Sequence, residues 1–142
     1  MMRHSGPFMI FLTATAFAGV VGIAGAADPA KDEWKVPTYA ANKKNPVPAD
    51  DKSIAAGKEN YITNCMACHG AGGKGDGPAA PALEHPPGDL TSAKAQEQSD
   101  GAIFWKVTTG RKPMPQAPKE LTETQRWEIV NYVRTFAPKP AK

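Results

Sequence analysis

Cys65-Met66-Ala67-Cys68-His69 holds the only two cysteines of the 142-residue chain, and its reading decides everything around it. C-x-x-C-H is the attachment sequence for c-type haem. Two thiols one helical turn apart reach the two vinyl groups on one side of a porphyrin, and the His that follows reaches the iron. Three other chemistries compete for the same residues. A Cys65–Cys68 disulfide closes only a tiny loop and barely restricts the unfolded chain. A thioredoxin-type redox pair needs a βαβ context, which no run of this sequence supplies. Zinc has four ligands in number in Cys65, Cys68, His69 and His85, but adjacent Cys68 and His69 rarely converge on one tetrahedral ion and the spacing matches no finger pattern. One covalent haem c is the reading that the rest of the chain supports.

Working outward, Ile54, Gly57, Tyr61 and Cys65 recur at helical spacing, with Asp50 or Asp51 available as a cap, so a first helix runs into the cysteine motif. Residues 70–87 are crowded with Gly and Pro, too many for a helix or a central strand, and read as a long ordered wrap. Ser99 or Asp100 caps a short helix carrying Ile103, Phe104 and Val107, which ends at Gly110; a second loop with Pro113, Pro115 and Pro118 follows. Thr122-x-x-Gln125 is a capping box, and Ile129, Tyr132, Val133 and Phe136 trace one face of a last helix stopped by Pro138. No run alternates with period two, so the class is all-α without internal repeats.

Upstream, Arg3 and His4 precede an uncharged run, residues 8–26, that ends in Ala24-Gly25-Ala26-Ala27. That is the pattern of a secretory signal peptide, residues 1–27, cleaved near Ala26 or Ala27, and it predicts a periplasmic or otherwise exported protein. The competing reading is an uncleaved anchor, since ~20 apolar residues span a bilayer. Membrane association is expected only in that case or through a membrane-bound partner. Residues 28–51 contain four prolines and four lysines with no helical or alternating period, and read as an extended leader. Trp34 and Tyr39 within it either pin the leader to the body or form a docking patch. Residues 52–138 form the folded domain, and 139–142 are a short tail.

Residues 28–142 hold only 14 Leu, Ile, Val and Phe, about 12%, below the ~20% at which disorder becomes a concern. With charge nearly balanced, the thin core points to a large apolar cofactor completing it. The net charge of +3 is spread along the chain, without the basic stripe of a nucleic-acid binder.

A second strong-field iron ligand is sought among few residues, because residues 28–142 contain just two Met and two His. Met66 lies inside the attachment motif on the wrong side, and His69 is already used. Met114, in Lys112-Pro113-Met114-Pro115, is the first candidate, since the flanking prolines favour an extended segment that presents its thioether. His85, in Glu84-His85-Pro86-Pro87, is the second, and an open distal site is the third possibility.

With these landmarks on the page, residues 50–138 resemble the class I cytochrome c family, monohaem bacterial type. The matching residues are Cys65-Met66-Ala67-Cys68-His69-Gly70, Gly75-Asp76-Gly77-Pro78, Thr109-Gly110 ahead of Met114-Pro115, and Tyr132-Val133 in the last helix. The resemblance implies a small all-α cytochrome c fold of about three to four helices wrapped around one covalent haem, with long Gly/Pro-rich loops. It implies that the first and last helices cross at Gly57 and Tyr61 against Ile129 and Tyr132. It further implies that a loop carbonyl, with Pro78 the candidate, takes the His69 Nδ1 proton, and that Trp105 reaches a haem propionate unless it is simply a partly packed helix residue. The leader has no equivalent in the minimal family fold.

With His69 and Met114 both bound to iron no substrate position remains, which predicts an exported one-electron carrier, not an enzyme, working by outer-sphere transfer through the haem edge. Lys58, Lys74, Lys106, Lys112 and Lys119 are a candidate ring for steering an acidic redox partner. The alternatives are a dedicated electron-transfer subunit of a periplasmic oxidoreductase complex, and a gas- or peroxide-reactive haem protein with an open distal site and His85 as its base.

Overall fold

The computed structural model describes residues 34–138, which lie within one folded unit; the signal-peptide reading of 1–27, the start of the leader and the tail at 139–142 fall outside the described residues. In chain order the helices are α1 (Thr38–Ala41), α2 (Asp51–Asn64), α3 (Met66–His69), α4 (Ala93–Gln96), α5 (Asp100–Thr109) and α6 (Glu123–Arg134), with a 3₁₀ turn at Ala80–Ala82. Among the described residues there are no strands, as the all-α reading of the sequence predicts. The helices of more than one turn are the three expected ones, α2, α5 and α6; the additional three are single-turn pieces. No described helix is long and apolar enough to cross a membrane.

Local chemistry accounts for the helix ends. The Asp50 carboxylate accepts from the Ser53 amide at 2.8 Å to start α2. Ser99 caps α5, and Gly110, at φ +61°, ends it. Thr122 and Gln125 form both arms of a capping box on α6.

Two of these helices, α2 and α6, cross in close contact. Gly57 makes the crossing possible: a Cβ there would lie 2.0 Å from the Glu128 carbonyl oxygen, a backbone atom with nowhere to go. Beside it Tyr61, Tyr132 and Phe136 meet pairwise edge to face with centroids 5.1–5.4 Å apart. The crossing inferred from the family resemblance is therefore present.

The core has two parts. Tyr61, Leu121, Ile129 and Val133 are buried together, flanked by half-buried Cys65, Met66, Leu90, Val107, Ala117, Tyr132 and Phe136. On the other side of α6, Phe104 stacks on Trp127 at 3.8 Å, and Val130 is wholly buried against them, with Val47 and Ile103 alongside.

Val47 belongs to the leader, so the expected extended segment is corrected in part. Residues 34–50 form a strap that contains α1 and is tied to the body. Its helix is a single turn following Pro37, too short to give a sequence period. Asn45 Nδ2 donates to Asn131 Oδ1 at 2.7 Å, while Asn131 Nδ2 faces the Val47 and Pro48 carbonyls and Ser53 Oγ at 3.1–3.2 Å. Asn131 is 4% exposed, so one buried amide joins the strap, α2 and α6. Ser99 Oγ donates to the Ala41 carbonyl at 2.6 Å, and Lys43 pairs with Glu123 at 3.1 Å. The two leader aromatics part ways: Trp34 packs against Trp105, whereas Tyr39 is 77% exposed.

Candidate haem-binding site

The site begins where α2 becomes α3. The chain kinks at Cys65 (φ −124°, ψ −35°) without leaving the helical path, because the Cys65 amide still reaches the Tyr61 carbonyl at 2.8 Å and the His69 amide the Cys65 carbonyl at 2.9 Å. Cys65 and Cys68 thus stand about one turn apart, with His69 next in line. Both cysteines are free and half-buried, not joined to each other. Burial first, and then the neighbouring Cys68, push the Cys65 thiol up to about 12. Zinc has no ready site, since no three His, Cys, Asp or Glu side chains cluster as a metal site among the described residues.

The loop after His69 folds back onto the end of α3 and occupies its orphan carbonyls. The amides of Gly75, Gly77 and Ala79 donate to the carbonyls of His69, Cys68 and Ala67 at 2.9, 3.1 and 2.8 Å. Gly77 lies so close that a Cβ would come within 2.4 Å of the Ala67 carbonyl oxygen. From the other side the buried Tyr61 hydroxyl donates to the Gly70 carbonyl at 2.8 Å. Burial raises its phenol pKa. The residue directly after His69 is thereby fixed to the helix crossing.

Burial lowers the His69 pKa, and the Gly88 backbone partly offsets that, so the ring is held neutral, the form that ligates a metal. Its Nδ1 is buried and makes no aligned hydrogen bond. The Gly88 backbone lies near the ring, and Pro78, the residue suggested by resemblance, is exposed between two amides that cap α3. An imidazole bound to metal through one nitrogen donates its other N–H to a backbone carbonyl or a similar acceptor.

Met114 sits in the loop after α5. The prolines do not extend it: Arg111 and Met114 exchange both backbone hydrogen bonds, at 3.0 and 2.8 Å, so the segment reverses direction instead. Pro113 occupies the turn, where its missing N–H costs nothing. Met114 is half-buried, whereas Arg111, Lys112, Pro113, Pro115 and Gln116 are exposed. Trp105, half-buried on α5, faces Trp34 with centroids 6.1 Å apart. Of the lysines read as a steering ring, Lys58, Lys74, Lys112 and Lys119 are exposed, but Lys106 is half-buried, bonded to Gln98 and lying over the Trp34 ring. His85 is exposed in the wrap.

The residues present fit a covalent haem c. Two free thiols stand on one helical turn, the imidazole that follows has a buried nitrogen without a hydrogen-bond partner, and Cys65 with six further apolar residues stays only partly buried against the neighbouring core cluster.

Residues 54–137 match the sequence profile of the Cytochrome c family, more than half of the chain, so the protein belongs to the cytochrome c family. Membership of that family implies a covalently held haem c. Among solved structures, a chain of the "Kuenenia stuttgartiensis reducing HAO-like protein complex Kustc0457/Kustc0458" is 34% identical with a TM-score of 0.60, covering 66% of this chain and 47% of its own. The "KustC0563 c-type cytochrome" is 26% identical with a TM-score of 0.50, covering 58% of this chain and 98% of its own. This chain therefore spans about half the length of the first of these relatives. No curated protein matches it.

Proposed function

We propose that this protein is an exported cytochrome c of the class I monohaem type that carries single electrons between redox proteins. Cys65 and Cys68 hold the haem as thioethers, His69 is its proximal ligand and Met114 its distal one. The observation that carries the reading is the C-x-x-C-H segment on one continuous helical path, followed by a neutral His69. When bound, the haem supplies a reversible one-electron couple, and a thioether ligand favours its reduced form.

The chain's own residues do the rest. Tyr61 and the loop amides hold the segment after the motif in one conformation, so His69 need not reorganise on each electron transfer. Its Nδ1 proton goes to a loop carbonyl; Gly88 is the nearest in effect, with Pro78 the alternative from family resemblance. Trp105 is proposed to line the propionate edge. Lys58, Lys74, Lys112 and Lys119 are exposed, available to steer an acidic redox partner. The N-terminal sequence, with its basic start, uncharged run and small-residue site, supports cleavage near Ala26 or Ala27 and a periplasmic destination.

A second reading, a dedicated electron-transfer subunit, is favoured by the relative found in a HAO-like protein complex. Size-exclusion chromatography of the native protein from its own cells separates the two: a carrier elutes alone, a subunit with an enzyme.

The decisive test is the optical spectrum, oxidised and dithionite-reduced, of protein exported in a host with haem-attachment machinery, repeated for Met114→Ala. A covalent low-spin haem whose weak red iron–sulfur band vanishes in the variant is the expected result. A high-spin native spectrum would transfer the case to ligand binding or catalysis, and a protein without haem would end it.

A further inference from the structure

The strap converges with the methionine loop at a single indole. Trp34 meets Trp105 of α5 edge to face, Lys106 Nζ lies 5.5 Å from its ring centroid and Arg111 Cζ 5.2 Å from it. Arg111 is the residue that closes the reversal around Met114 through two backbone hydrogen bonds. Most of the loop's side chains face solvent: apart from Met114 and Ala117, residues 111–120 are exposed, while its backbone packs so closely on Gly110 that a Cβ there would stand 2.4 Å from the Gln116 nitrogen, and the Ala117 amide donates to the Val107 carbonyl at 3.2 Å. The strap is firmly seated. Gly101 lets the strap backbone approach so closely that a Cβ would stand 2.2 Å from the Ala40 carbonyl oxygen, and the Asn45–Asn131 pair holds its far end.

We infer that Trp34 is a positioning residue for the Met114 loop: by stacking under Arg111 it clamps the loop to α5 and keeps the Met114 side chain presented. The inference rests on the reading of Met114 as the distal iron ligand. It gives the strap a task beyond packing, because the segment absent from the minimal family fold then governs how often the distal side opens. A guanidinium over an indole is an attraction of modest size, so its loss should loosen the loop severalfold without unfolding the domain.

The test uses the haem-loaded full chain as native protein, Trp34→Ala, Trp34→Phe, Arg111→Ala and the Trp34/Arg111 double alanine variant, with Tyr39→Ala as a control on the exposed face of the strap. Two readouts follow ligation: the red iron–sulfur band of the oxidised protein and the rate at which the reduced protein captures carbon monoxide. Trp34→Ala should weaken the band and capture carbon monoxide about fivefold faster. Trp34→Phe should restore most of the native behaviour, Arg111→Ala should resemble Trp34→Ala, and the double variant should add little to either. Tyr39→Ala should match the native protein. Unchanged capture in Trp34→Ala, or additive effects in the double variant, would overturn the inference. If Trp34→Ala does not fold, Arg111→Lys decides it, because lysine keeps the charge but not the planar stack. Should Met114→Ala leave the native band intact, the ligand assignment itself fails; should it abolish the band while Trp34→Ala changes nothing, only the clamp fails.

Discussion

The two sides of α6 are built by different means. Toward the strap, Phe104, Trp127 and Val130 close upon one another, and the buried amide of Asn131 ties down the segment that covers them. Toward the cysteine motif, Tyr61, Leu121, Ile129 and Val133 are buried, but the seven apolar residues around them, Cys65 and Met66 included, remain half-buried. One side is finished by the chain's own side chains and backbone. The other leaves the apolar side chains beside the cysteine motif half-buried, in residues 28–142 that hold only 14 Leu, Ile, Val and Phe. A haem held by the motif would complete one half of the fold and leave the other to the chain itself.

The sharpest way to break this comparison is to prevent haem attachment. The Cys65→Ala/Cys68→Ala chain should lose cooperative thermal unfolding and most of its native helicity, as followed by circular dichroism. A variant that kept both would show that the motif side closes without its cofactor. Next in size is Gly57→Ala. Alanine favours a helix by up to ~1 kcal/mol over glycine, but a Cβ 2.0 Å from the Glu128 carbonyl oxygen forces α2 and α6 apart. We expect a net loss of about 3 kcal/mol, read from the denaturant midpoint of the haem-loaded protein.

Asn131→Ala probes the closed side. It strands the Asn45 amide and the strap carbonyls and should cost about 2 kcal/mol, leaving the visible spectrum as in the native protein because the damage lies away from His69. A changed spectrum would mean that the two sides are not separate. The smallest effect is expected of Tyr61→Phe, about 1 kcal/mol for the lost bond to the Gly70 carbonyl. It also carries a pH signature. Burial raises the Tyr61 phenol above its unfolded value near 10, so the folded chain keeps a proton that the unfolded chain releases. The stability from this group is whole below about pH 10 and is lost as pH rises toward the folded value. Tyr61→Phe should flatten the alkaline limb of the stability profile. An unchanged slope would show that Tyr61 ionises as readily in the folded protein as in the unfolded one.

Much of this architecture is local chemistry and could be read from the sequence. Asp50, Ser99 and the Thr122/Gln125 box cap the helices they were expected to cap, and each acts on amides within three residues. The Gly57 and Tyr61 crossing followed from family resemblance. The reading of α6 used a single apolar stripe, Ile129, Tyr132, Val133 and Phe136, and so overlooked the second face on which Trp127, Val130 and Asn131 receive the strap. Trp127 and Val130, three residues apart, were the available signal. The reversal at Met114 is not legible in the sequence, because flanking prolines suit an extended segment and a turn equally well.

By itself, then, the sequence determined that this protein is a helical chain of the cytochrome c family whose first long helix runs into the C-x-x-C-H segment Cys65–His69, because helix periodicity, caps and the motif spacing all act within a turn or two. Only the tertiary structure decided that the leader is a strap, that Asn131 anchors it and that Trp34 meets Arg111. These contacts join residues about 80 positions apart, between elements with no shared period, and such pairings exist only once the helices have packed and closed the chain between them.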